Sequence, residues 1–262
     1  MDKIYKGVDV SAHNGVIDWA KTSEHIDFAF IRCGYGQNGV DKRFEDNVKG
    51  CIDYGVPFGI YIFSYALTVN DAIKEANRVV EFAKKYKPPL GIAYDFEDDS
   101  IRYMTENGKN ADPAIIKSMA NAFLKIVDDT QEFMPVLYTN KNFYNKYYHD
   151  IECALWLAQW QVSQPSVKCD FWQATSTGII PGIWGYVDIN YTDYLPDHAY
   201  PINGVKSFDN IYKTYNDKYY KIALQVINGK YGNGEDRKAK LKAKGYDYSF
   251  VQSIVNCILR NK

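Results

Sequence analysis

This chain lacks a dominant sign of charge, paired-cysteine motifs and long apolar runs. Its 262 residues carry 31 basic and 32 acidic side chains, a formal net charge of -1. No strong field is available to steer a nucleic acid or an anionic membrane surface, so neither is expected as a partner. Cys33, Cys51, Cys153, Cys169 and Cys257 are scattered, with no CxxC and no metal-ligand spacing. They read as reduced, mostly buried thiols of a chain made in a reducing cytoplasm, and neither a metal nor a cofactor is expected. No segment approaches the length of a transmembrane helix, and the first ten residues show no signal-peptide pattern. A substrate outside the cell would therefore need another delivery route.

What the chain has is tyrosine: 23 of them, with 13 Phe and 5 Trp. An apolar ring with a hydroxyl handle suits sugar and polymer surfaces, although barrel cores use it as well. Strand-like runs at 7–12, 28–34, 58–66, 90–97 and 134–139 alternate with helical patterns at 41–54 and 70–86. Asn70 or Asp71 is the expected cap of the second helix, and Asp112-Pro113 opens a third. This alternation predicts a parallel α/β sheet, and its length favours a barrel.

Three further strands, at 154–160, 171–175 and 186–192, lie only about ten residues apart, whereas a parallel crossover usually needs a dozen or more. At least one is expected to run antiparallel or to close the barrel irregularly. The prediction is an irregular TIM-like α/β barrel: five βα units, then strands with little helix. Residues 1–195 would form it, 196–208 a linker, and 209–262 a small three-helix bundle.

The polar exceptions on those strands carry the chemistry. In Tyr94-Asp95-Phe96-Glu97 the two acids share one face and the two rings the other. Asp98 and Asp99 are read as turn residues. Asp9 sits between valines, Asp188 and Asn190 share a face between Val187 and Ile189, and Arg32 lies in an otherwise apolar strand. Four carboxyls on strand faces of one barrel cannot all ionise cheaply.

Gly7-Val8-Asp9-Val10-Ser11, the run Phe30 to Gly36, Gly59-Ile60-Tyr61, Asp95-Phe96-Glu97, Leu137-Tyr138-Thr139, Leu155-Trp156-Leu157-Ala158, Phe171-Trp172-Gln173 and Val187-Asp188-Ile189-Asn190 together resemble the family 25 glycoside hydrolases, the lysozymes (muramidases) of phages and bacteria. The resemblance implies hydrolysis of the β-1,4 bond between N-acetylmuramic acid and N-acetylglucosamine in peptidoglycan. It implies Glu97 as general acid, and Asp95 as the group that stabilises developing charge or orients the 2-acetamido group. Asp9 and Asp188 would complete the acidic set. The chemistry is consistent: glycoside cleavage needs one protonated carboxyl and one carboxylate, and a nearby Asp95 would raise the pKa of Glu97. Net retention through the acetamido group is the expected outcome, although residues two apart on a strand allow either carboxyl separation. Arg32, Tyr61, Tyr65, Tyr138 and Trp160 are the candidate substrate-binding residues, the aromatics as stacking walls; Trp172 is expected in the core. Ala12-His13-Asn14 and Ile62 depart from the family pattern, and His13 is given no proton-transfer role.

From Ile222 to Leu259, the Asn228–Gly234 turn, Asp236-Arg237 and Gly245-Tyr246-Asp247-Tyr248 resemble the CW-seven cell-wall-binding repeat of phage lysins. Asp236 and Arg237 are its candidate wall-binding residues, since a guanidinium grips a carboxylate in bidentate fashion. One copy should bind weakly, so self-association or the barrel would add avidity. The whole then reads as an endolysin made in a bacterial host cytoplasm and acting on the wall after release. A bacterial autolysin, a catalytically dead wall-binding protein and a chitinase-like hydrolase are the alternatives. The intact acid set argues against the dead protein. The absence of a longer run of spaced acids before Glu97 argues against the chitinase.

Overall fold

The computed structural model describes residues 4–193, 195, 221–244, 246, 248, 251, 252 and 255. The whole of the expected linker, 196–208, residues 209–220 of the expected C-terminal module and most of its third helix lie outside the described residues.

Among the described residues nine strands form one sheet: β1 (Tyr5–Val10), β2 (Phe28–Tyr35), β3 (Gly39–Val40), β4 (Phe58–Phe63), β5 (Ile92–Asp95), β6 (Pro135–Asn140), β7 (Ala154–Ala158), β8 (Phe171–Gly178) and β9 (Val187–Thr192). The order β1-β9-β8-β7-β6-β5-β4-β2 closes through β1–β2 pairing into an eight-stranded barrel, with β3 a short appendage on β2. β1, β2 and β4 to β8 are parallel, and β9 is antiparallel to both its neighbours. The spacing argument therefore holds: β9 is the strand that short connections forced to reverse.

Strand alternation divides the side chains between two cores. Phe28, Phe30, Tyr61, Ala93, Val136, Tyr138, Trp156 and Phe171 pack inside the barrel. Val8, Val10, Ile31, Ile60, Tyr94 and Phe96 face the surrounding helices. Two glycines make room for the interior rings. A Cβ at Gly7 would lie 2.5 Å from the Phe28 ring, and one at Gly59 2.3 Å from the Phe30 ring.

The helices differ from expectation at their starts. α1 (Trp19–Thr22) is a single turn. α2 (Phe44–Tyr54) begins three residues after Asp41, which the sequence pattern had placed inside the helix. α3 (Val69–Tyr86) is capped by Thr68, whose side chain accepts from the Asp71 amide; neither Asn70 nor Asp71 is the cap. β5 ends at Asp95 rather than at residue 97, and Glu97 is the N-cap of α4 (Asp98–Glu106). Asp98 and Asp99 are thus first-turn helical residues, where the helix dipole favours negative charge. Glu97 itself remains extended (φ -130°, ψ -168°), so the alternation that puts it on the side of Asp95 survives past the strand. α5 (Pro113–Asp129) has the expected Asp112 cap and Pro113 in its first turn.

In the C-terminal region, residues 221–227 are helical, and a second helix runs Gly234–Ala243. Gly229, Gly232 and Gly234 between them all take positive φ, which only glycine adopts freely. Ile222, Ala223, Val226, Tyr231, Leu241, Val251 and Val255 form the region's own buried cluster. Among the described residues no helix is long and apolar enough to cross a membrane.

Candidate active site

The interior of the barrel changes from aromatic to acidic toward the C-terminal ends of the parallel strands. Register fixes who meets whom: Asp9 pairs across β1–β9 with Asp188, and Asp95 pairs with Phe63 of β4 and Tyr138 of β6. Arg32 and Tyr61 are partners across β2–β4.

Asp9 is buried and held by two side-chain amides. Its Oδ2 accepts from Asn190 Nδ2 at 2.8 Å and from Gln173 Nε2 at 3.0 Å. What points those amides is a ring of donors. Trp156 Nε1 donates to Asn190 Oδ1 at 2.7 Å, while the Tyr138 hydroxyl and Trp160 Nε1 donate to Gln173 Oε1 at 3.1 and 3.2 Å. An indole N–H can only donate, so the two tryptophans pin the amide oxygens and turn both NH₂ groups toward Asp9. Burial raises the Asp9 pKa and these two hydrogen bonds lower it, leaving it at about 6.

The other three acids are also pushed upward. Burial, then repulsion from Glu97 and Asp9, holds Asp95 well above the usual carboxylate range, against the pull of Arg32. Asp95 Oδ1 has no hydrogen-bond partner among the described residues. Glu97 is raised to about 7, chiefly by burial, with the neighbouring Tyr138 hydroxyl opposing. Burial, rather than the neighbouring Asp95 that the sequence suggested, is the chief cause that raises Glu97. Burial and Asp9 push Asp188 up to about 8.

Arg32 is at the site, but its guanidinium is engaged. Its Nε donates to Asp41 Oδ2 at 2.8 Å, and Asp41 also accepts from the Ala12 and Arg43 amides. The helical reading of Asp41 hid this role; the missed signal was a lone acid ahead of Phe44 that α2 does not need. Gln173 is the other functional residue missed, visible in retrospect as a polar side chain between apolar positions of β8.

The aromatic candidates divide into two sets. Tyr61 and Tyr138 are each only 8% exposed and meet Trp156 edge-on, with centroids 5.8 and 4.6 Å away. They offer hydroxyls to the site rather than the open ring faces expected of stacking walls. Trp160 (48% exposed) and half-buried Tyr65 lie at the rim and do present ring surface. Trp172 is not a core residue: half-buried, it packs on Tyr191 and donates to the Gln159 carbonyl.

In the C-terminal region Arg237 is a structural hub. It donates to the Gly232 carbonyl (3.0 Å), Asn233 Oδ1 (2.9 Å) and Gln252 Oε1 (2.7 Å). Asp236 pairs with Lys240 at 2.7 Å. Three of the five guanidinium donors thus hold the glycine turn and the third helix, which removes the free fork expected from sequence. Arg237→Ala is expected to loosen this region selectively: the main thermal transition stays, while limited proteolysis cuts the C-terminal region faster than in the wild type.

Comparison with known proteins agrees with this architecture. The family model described as Glycosyl hydrolases family 25 matches residues 8–183, and the CW_7 repeat matches residues 221–259. Lysozyme M1 of Streptomyces globisporus is 24% identical over 204 residues, covering 71% of this chain and 66% of that protein. Among solved structures, the modular autolysin LytC of Streptococcus pneumoniae, in complex with a synthetic peptidoglycan ligand, superposes with a TM-score of 0.65 at 24% identity. That match covers 73% of this chain and 47% of the autolysin, so this chain spans about half of its length. The catalytic domain of endolysin ply40, from bacteriophage P40 of Listeria monocytogenes, matches at 25% identity and a TM-score of 0.61, over 72% of this chain and 93% of that domain. With its acid-lined barrel inside the matched span, the chain belongs to the glycosyl hydrolases of family 25 and carries a CW_7 repeat behind the barrel.

Proposed function

We propose that the protein is an endolysin-type muramidase that hydrolyses the β-1,4 bond between N-acetylmuramic acid and N-acetylglucosamine in peptidoglycan. The observation that carries this reading is a set of four carboxyls gathered at one end of a family 25 barrel, with Asp9 beside Asp188 across β1–β9 and Asp95 and Glu97 sharing a face. Glu97, protonated near neutrality, gives its proton to the departing glycosidic oxygen. The carbonyl oxygen of the muramic acid's own acetamido group attacks C1 as the bond to the leaving sugar breaks, forming a cyclic oxazolinium. Asp95 is the group that faces this change. Its unpartnered Oδ1 is free to accept the acetamido N–H, and that bond stabilises the carboxylate which burial alone disfavours. Glu97, now ionised, takes a proton from water as the water opens the ring, and configuration at C1 is retained.

Asp9, fixed by Asn190 and Gln173, supplies the standing negative charge opposite, and Asp188 completes the acidic wall. Tyr65 and Trp160 are the rim residues placed to stack on sugars, while Arg32, Tyr61 and Tyr138 bind through polar groups. In this reading residues 1–195 cleave, 196–208 connect and 209–262 attach to the wall. Asp236 stays exposed for that contact, and Arg237 shapes the surface around it. The single repeat binds weakly by itself and gains avidity from the barrel or from self-association. The protein is made in the bacterial cytoplasm and meets its substrate after release.

Purified peptidoglycan in suspension tests the function: clearing with release of reducing ends is expected. NMR of the first-formed product tests the stereochemistry. The β-anomer should appear first, and an initial α-anomer contradicts acetamido participation.

A further inference from the structure

Besides Asp41, which holds Arg32, one buried acid among the described residues lies outside the set just described. Glu75, on the barrel-facing stripe of α3 with Ala72, Ala76 and Val79, is wholly buried. A carboxylate there needs partners, and it has two. Its Oε2 accepts from Ser64 Oγ at 2.6 Å and its Oε1 from the Tyr65 amide at 3.1 Å. Both belong to the short segment that follows β4.

That segment reaches Asp95 directly and the helix capped by Glu97 through a ring contact. The Ser64 amide donates to the Asp95 carbonyl at 2.7 Å, and Ser64 Oγ lies 3.3 Å from the hydroxyl of Tyr94, the residue before Asp95. The Tyr65 ring packs on Phe63 (5.1 Å) and on Tyr103 (5.0 Å) of α4, the helix that Glu97 caps. One turn further along α3, Arg78 donates to the Gly36 and Gly39 carbonyls at 3.0 and 2.8 Å. Gly36 in turn donates to the Phe63 carbonyl. The helix therefore grips neighbouring loops at the barrel mouth, one through an acceptor and one through a donor.

We infer that Glu75 is a positioning residue of the hydrolytic reaction, holding Ser64–Ala66 so that Asp95 and the Tyr65 wall keep their places. The inference rests on Asp95 and Glu97 carrying the chemistry. A carboxylate is suited to the task, because it takes a hydroxyl and an amide donor at once and from a rigid helix. Helix packing alone would be served better by Ala or Leu on a stripe of alanine and valine. The polar link is what a hydrophobic residue cannot supply.

The test measures kcat and KM on solubilised glycan fragments of peptidoglycan for Glu75→Ala, Glu75→Gln, Ser64→Ala and Glu97→Gln, each with its thermal midpoint. Glu75→Ala is expected to lose about 10- to 100-fold in kcat at temperatures where it is fully folded, since small misplacement of reacting groups costs that much. Ser64→Ala should lose less, and the double variant should lose no more than Glu75→Ala, because both cut one link. Glu75→Gln retains an acceptor for the Tyr65 amide and should recover most of the loss. If Glu75→Ala does not fold, Glu75→Gln and Ser64→Ala decide alone, and wild-type kcat in Ser64→Ala overturns the inference. A folded Glu75→Ala with a lower midpoint but unchanged kcat also overturns it, leaving only a structural role. Should Glu97→Gln stay active, the reading of the site itself fails, which separates the two failures.

Discussion

Glu97→Gln is expected to lower kcat by about 10²- to 10⁴-fold, the usual contribution of a positioned general acid, while leaving the fold intact. Gln keeps the size and shape of Glu, but has no acidic proton to give the leaving oxygen. The thermal midpoint should not fall, because burial disfavours the ionised Glu97 that the variant removes. A large loss of kcat in a protein at least as stable as wild type is the signature of a residue kept for chemistry at some cost to stability. Loss of both activity and midpoint together would point instead to a supporting role.

The second large effect is in pH. In the proposed mechanism Glu97 acts as the protonated acid, so activity should be lost as pH rises through about 7. The same proposal has Asp9 supplying a negative charge, so activity should also be lost as pH falls through about 6. The profile of kcat/KM is therefore expected to be a narrow bell between those values. Stability should follow a different course. Asp9, Glu75, Glu97 and Asp188 all bind protons more tightly in the folded chain than at the ordinary values of 3.8 and 4.5. The folded state then holds protons that the unfolded chain releases near pH 4, and stability is lost as pH rises from there through about 8. The midpoint of thermal unfolding should accordingly fall from pH 5 to pH 8, and Asp188→Asn should flatten the upper part of that fall. A midpoint that rises over this interval would contradict the burial of the acids as described.

Much of this arrangement is legible in the chain itself. Alternation places Asp9, Asp95, Asp188 and Asn190 on interior faces, and short connections require a reversed strand near the end, which is β9. The end of β5 was not legible from alternation, because apolar residues continue through Phe96 and Glu97 stays extended. A local signal existed: Glu97 and Ser100 are spaced as a capping box, and the Ser100 hydroxyl does accept from the Glu97 amide at 3.1 Å. Asp41 and Glu75 were hidden by the opposite problem. Each falls within a helical pattern where an acid reads as solvated or as a cap, and only packing against Arg32 or Ser64 reveals it as buried. Arg237 shows the same limit, since nothing local tells a ligand-gripping guanidinium from one already occupied by Gly232, Asn233 and Gln252.

The most direct measurement is the identity of the new reducing end. Purified peptidoglycan digested to completion, reduced with borohydride and hydrolysed should yield N-acetylmuramitol, or its acid-hydrolysis product muramitol, in proportion to the bonds cut. Glucosaminitol in its place, or clearing with no new reducing end, would contradict the assignment of this barrel as a muramidase.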